Sequence, residues 1–265
     1  MPSETDTNKP IRRYAFYVAV SVTIALVGVS LGQFLPNAIF GWTGSLGDRS
    51  IFGLVLMAGS WTALFGMAVQ FYLPTERVNA ILLLPVVTIL SGVIGFATGT
   101  IFATETLIVA AITLVPLVLH PAGRSVLRFD RVGSPNRLLV GLFALGAIFM
   151  IVYAGQELVK QFTLTGEDAI RGHYSDLAIW AFSIAVWGGL AVFRRRDWRF
   201  AAWMSGFVAL YLGVSSAAFP DATSSLGLVG GVLVTAWAVA FVAMTERARG
   251  GEPDTSGTIE KKPVR

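Results

Sequence analysis

The chain has 265 residues, 54% of them hydrophobic and only 14% charged, with a formal net charge of +4 and a mean hydropathy of +0.68. Soluble domains carry about 25% charged residues, and no water-soluble fold hides this much apolar surface. The chain therefore reads as an all-α, polytopic membrane helix bundle with lipid as part of its solvent. It contains no cysteine, which excludes disulfides, Cys-ligated zinc, iron–sulfur clusters and thiol catalysis.

Met1–Pro10 is polar and is expected to be disordered. Ile11-Arg12-Arg13 then leads into an apolar run from Tyr14 to Leu31. That run is longer than a signal-peptide core, and no clean A-x-A site follows, so it reads as an uncleaved first span. Further apolar runs lie at Ile51–Phe71, Asn79–Phe96, Ile101–Leu119, Leu138–Gly155, Leu177–Phe193, Ala201–Ala218 and Leu226–Met244. This predicts eight transmembrane helices within residues 14–245, after a tail at 1–13 and before a disordered tail at 246–265. Pro74, Gly99, Pro121 and Pro220 fall in the connectors, as turns between antiparallel helices require.

Eight spans place both termini on one side, and the basic residues choose which. Seventeen of the twenty Lys and Arg fall on the side of the N-terminus, in the two tails and in the even-numbered connectors. Only Arg49, Lys160 and Arg171 fall opposite. The positive-inside rule predicts a cell-membrane protein with both tails cytoplasmic. The outer face carries Asp48, Glu105, Glu157, Glu167, Asp168, Asp176 and Asp221, giving a balance of −4 against +8 inside. An acidic outer mouth favours cations or basic partners. Topology and anionic lipid suffice to account for the inner arginines. The excess of Arg over Lys points, on composition alone, to a GC-rich prokaryotic source.

Shifting the chain by 123 residues lays the first four spans over the last four, Tyr14 on Arg137 and Ile51 on Tyr174. Four spans return the chain to the same side, so halves 14–119 and 137–245 would form a parallel repeat. Evenly spaced spans also generate such a period without duplication. Small-xxx-small spacings recur at Gly28/Gly32, Ala58/Thr62/Gly66, Gly95/Gly99 and Gly227/Gly231, where helix backbones can approach closely. Trp42, Tyr153, Tyr174 and Trp180 belong to the predicted outer aromatic belt, and Tyr14, Tyr72, Trp198 and Trp203 to the inner one. Trp61, Trp187 and Trp237 fall in mid-span, where packing is the ordinary role.

Four residues are candidates for transport or proton handling. Glu105 is the one carboxylate inside a span, about a turn from its outer end, beside Thr98, Thr100, Thr104 and Thr106. Glu157 is spaced i, i+3 from Lys160 and can pair with it on one helix face. His173 and Asp176 share that spacing, which lets a carboxylate orient an imidazole as in a proton relay. Each has a plain structural role as well: an interfacial carboxylate, an interfacial ion pair, and an acid at a helix start beside a loop histidine. Thr165-Gly-Glu-Asp168 resembles a capping box and predicts a short surface helix ending at Gly172.

No Walker-A lysine, dinucleotide glycine loop, G-x-S-x-G elbow or H-E-x-x-H pair occurs. No cofactor, metal or nucleic-acid partner is expected. An intramembrane enzyme would need a nucleophile or metal constellation that the sequence lacks. Two readings therefore stand beside the lipid bilayer itself as partner. The reading that the acidic outer mouth and the possible repeat favour is a transporter or permease for a cation or small solute, whose candidate side chains face a shared cavity. The other is a non-catalytic accessory or assembly subunit. Its polar groups face loops or headgroups, and its glycine strips meet a second copy or another membrane protein.

Overall fold

The computed structural model describes residues 4–32, 35–44, 46–128, 132–194 and 196–249. The described residues form ten α-helices and no strand: α1 (Glu4–Gly32), α2 (Leu35–Phe40), α3 (Ser50–Ala68), α4 (Ala80–Thr98), α5 (Ala103–Leu119), α6 (Arg137–Thr163), α7 (Glu167–Arg171), α8 (His173–Phe193), α9 (Trp198–Ala218) and α10 (Gly227–Arg249). Seven are long and apolar enough to cross a membrane, and α5 is a shorter apolar helix. The protein is a polytopic membrane helix bundle. The eight apolar runs of the sequence each map onto one of these eight helices; α2 and α7 are short connector helices. The segment 250–265, and Arg131 and Arg195 among the basic residues, lie outside the described residues.

Local chemistry sets the ends. Gly99, at φ +69°, closes α4, with the Thr100 amide returned to the Gly95 carbonyl at 3.0 Å. That left-handed residue suits glycine and starts the tight hairpin into α5. Asn136 opens α6, its side chain accepting from the Leu138 and Leu139 amides. Helix α8 starts at His173, earlier than the apolar run, because Gly172 (φ +84°) ends α7 and leads directly into it. The short helix α7 is present, but Thr165 does not cap it. Gly166 takes the N-cap position without a side-chain bond, and Asp168 is used elsewhere.

Helix α1 packs on α3 and α5, and α4 packs on both α3 and α5. The second half repeats these pairings: α6 packs on α8 and α10, and α9 packs on both α8 and α10. Between the halves α3 meets α8, α3 meets α9, and α4 meets α8. Helices α3, α8 and α9 are the most buried, whereas α1, α6 and α10 are mostly exposed to the medium. The centre is filled by aromatic rings seated on glycines. Trp180, expected in the outer belt, is buried against Gly59 of α3, and Trp187 packs edge-on to it. A Cβ on Gly66 would stand 2.7 Å from the Ala80 carbonyl, so α3 and α4 approach at backbone range. Thr88 and Thr113 face each other at 3.0 Å between α4 and α5, beside Pro85, and both hydroxyls also return to their own helices.

Candidate functional site

The polar side chains gather at the two ends of the bundle. At the end holding α7, two clusters meet across a small cavity. In the first, the Arg49 guanidinium bridges the Glu167 and Asp168 carboxylates, each at 2.9 Å, and Arg171 adds a second contact to Glu167 at 2.9 Å. The hydrogen bond from Arg49 and its positive charge, with that of Arg171, hold the Glu167 carboxyl below the usual carboxylate range. These groups are substantially exposed, so each pair contributes little stability. Asp168 Oδ1 also sits 2.8 Å from His173 Nδ1. A carboxylate only accepts, which assigns the ring proton to Nδ1. The imidazole is stacked on Phe52, centroids 3.9 Å apart.

The second cluster is buried. Glu157 is 1% exposed and accepts from Lys160 Nζ at 2.6 Å and from Ser224 Oγ at 2.6 Å. Tyr153, also buried, donates to the Ser224 carbonyl at 2.9 Å. Ser224 is held at φ +63°, a left-handed conformation that costs an L-residue about 1–2 kcal/mol. Both bonds to it therefore fix a strained turn between α9 and α10. Lys160 Nζ lies over the Tyr174 ring. The cavity between the clusters measures about 10 Å³ and is lined by Arg49, Asp168, His173, Tyr174 and Ser224 among others. It has room for roughly one water.

The four sequence candidates are not brought together. Glu157 and Lys160 pair on one face of α6. His173 turns to Asp168 and not to Asp176. Asp176 is half-buried in the first turn of α8, and its carboxylate has no hydrogen bond or ion pair among the described residues. Glu105 is exposed in the first turn of α5, where a negative charge suits the helix dipole. Arg49, Asp168, Tyr153 and Ser224 carry roles that sequence reading missed. One signal was present: this end holds just three bases in the sequence, and each of Arg49, Lys160 and Arg171 is ion-paired.

At the opposite end two arginines are buried and bonded to backbone carbonyls. Arg194 is 2% exposed and donates to the Val126 and Arg128 carbonyls at 2.7 and 3.0 Å and to the Asn79 side chain. Arg249, also buried, donates to the Ala191 and Arg194 carbonyls at 2.6 and 2.9 Å and so closes the C-terminus of α8. The Arg199 and Arg249 guanidinia each lie over the Trp198 ring, 5.3 and 5.1 Å from its centroid. Asp197, fully buried, accepts from Arg77 at 3.1 Å and from the Asn79 amide at 2.9 Å. His120 is buried beside Gln70, 3.2 Å away, and burial pushes its pKa down to about 4.

No protein-family model, curated protein or solved structure matches this chain.

Proposed function

We propose that the chain is a non-catalytic subunit of the cell membrane that presents α1 to a transmembrane helix of another protein. The observation that supports this is a contrast between glycines. Inside the bundle Gly59, Gly66, Gly213 and Gly231 are each closed over by a neighbour. A Cβ on Gly28 or Gly32 would meet no atom within 4 Å. Helix α1 turns Phe16, Val20, Thr23 and Val27 inward, while Ser21, Ala25 and Gly32 face the medium with Gly28 at their edge. Small residues at this 4-3-4 spacing make a flat strip of the kind membrane helices use for close approach. The four candidate polar residues lie apart and the packed centre is apolar, which agrees with a role carried by the surface. Seventeen basic residues against three orient both termini to the cytoplasm in this reading.

The cysteine-free chain makes the test direct. A single Ser21→Cys, labelled in native membranes with a maleimide photo-crosslinker and irradiated, should join to one other membrane protein, and Gly28→Ile with Gly32→Ile should abolish that adduct. An adduct joining two copies of the Ser21→Cys chain would identify a second copy as the occupant. Absence of any adduct, or an adduct indifferent to the isoleucines, would sink the reading.

A second reading is a cation or small-solute transporter whose two halves rock against each other as parallel repeats. It is favoured by ion pairs that join the halves at both ends, Arg49–Asp168 and Arg77–Asp197. It predicts cation or proton flux in proteoliposomes that rises when Asp168→Asn opens the acidic end. Flux equal to that of protein-free vesicles would eliminate it.

A further inference from the structure

Between the N-terminus of α6 and the C-terminal turns of α10 lies an open groove of about 750 Å³. It exists because α6 packs mainly on α8 and α10 mainly on α9, which leaves these two helices less closely joined to each other. Its walls are apolar, formed by Leu138, Ala240, Ala243 and Met244. Its rim is polar, formed by Asn136 and Arg247. About a turn deeper along both helices, Trp237 Nε1 donates to the Leu142 carbonyl at 2.8 Å and joins α10 to α6.

The rim is cationic. Arg247 is exposed and has no hydrogen bond or ion pair among the described residues. The adjacent carboxylate, Glu246, does not neutralise it, because Arg199 and Trp203 on the α9 side hold it at 2.7 and 2.8 Å. Arg137, also exposed, follows Asn136 at the start of α6. Helix geometry scales the site. At 1.5 Å per residue, Ala240 stands about 10 Å deeper along α10 than Arg247. That is roughly the separation between a lipid phosphate and the upper part of its acyl chains. A soluble anion has no use for the apolar walls, and the phosphate of a zwitterionic lipid is already countered by its own ammonium, so the guanidinium favours a lipid of net negative charge.

We infer that this groove binds one anionic membrane phospholipid, its phosphate against Arg247 and an acyl chain along Leu138, Ala240 and Ala243. Basic pockets between transmembrane helices hold lipid headgroups by this combination of charge and depth. Lipid binding in this groove is independent of what α1 binds.

The full chain would be purified from mixed phosphatidylcholine and phosphatidylglycerol vesicles and its retained lipid weighed by native mass spectrometry. The wild type should retain phosphatidylglycerol several-fold over phosphatidylcholine. Arg247→Gln should bring the two to parity, and Arg247→Lys should keep most of the preference, which separates lost charge from lost fold. Ala243→Trp should lower retention of both lipids by filling the groove. Equal retention of the two lipids by the wild type, an unchanged preference in Arg247→Gln, or unchanged retention in Ala243→Trp would each overturn the proposal.

Discussion

Asn79 donates twice to Asp197: its backbone amide to Asp197 Oδ2 at 2.9 Å, and its side-chain amide to the Asp197 carbonyl at 3.1 Å. The pair ties the start of α4 to the α8–α9 turn, and hence one half of the bundle to the other. Asp197 adopts φ +50° to do this, and both residues are fully buried. Arg77 supplies the compensating charge at 3.1 Å. Removing one partner of a buried pair leaves the other unsatisfied and costs about 3–5 kcal/mol. Asp197→Ala should therefore lower the unfolding free energy in detergent by that order, and Asp197→Asn, which keeps an acceptor, by less. A loss under about 1 kcal/mol for Asp197→Ala would show that the pair does not secure the two halves.

Ser224 allows backbone strain to be separated from side-chain bonding. Ser224→Ala and Ser224→Gly both remove the hydroxyl that donates to Glu157 at 2.6 Å. Only alanine keeps a Cβ at φ +63°. Glycine should therefore be more stable than alanine by about 1 kcal/mol, with both below the wild type. Equal stabilities of the two variants in thermal unfolding would mean that the turn relaxes freely.

His120 should make the protein acid-sensitive. Its folded pKa of about 4 lies below the ordinary value of 6.5, so the folded state binds fewer protons than the unfolded state. The stabilisation is complete above about pH 6.5 and is lost as pH falls through 6.5 towards 4. By pH 5 the loss should reach about 2 kcal/mol. His120→Gln should lack this component, so the difference between wild type and variant should shrink between pH 7 and pH 5. A difference that stays constant across that window would refute the assignment.

The spans were legible because a helix that meets lipid must be apolar for its whole length, and nothing else in the chain imitates that signal. The pairing of Glu157 with Lys160 was legible because both sit on one helix. The contacts of Asp168 were not. The sequence around it matches a helix cap, and its actual partners include Arg49, just before α3 and more than a hundred residues away. Ser224 gave no sign at all, since its role comes from two α6 side chains, Tyr153 and Glu157, that arrive from the other end of the half. The burial of Arg194 and Arg249 was hidden by the positive-inside pattern, which gives every basic residue at that end a sufficient reason to be there.

The two classes of glycine should respond oppositely to one added methyl group. At Gly59 the Cβ would stand 2.4 Å from the Trp180 ring, and that ring is fixed in turn against Trp187. Overpacking of this kind costs about 1–3 kcal/mol, so Gly59→Ala should destabilise the purified chain by that order. At Gly28 there is no neighbour to displace, and alanine is the better helix former. Gly28→Ala should leave the purified chain unchanged or slightly more stable. Gly28→Ile should do the same for the isolated bundle while removing the cross-link made through Ser21→Cys in native membranes. Those two readouts separate a surface kept flat for a partner from a surface that is merely exposed. If Gly28→Ile leaves the cross-link intact, the strip on α1 is only a lipid-facing helix surface, and the subunit reading loses the observation on which it rests.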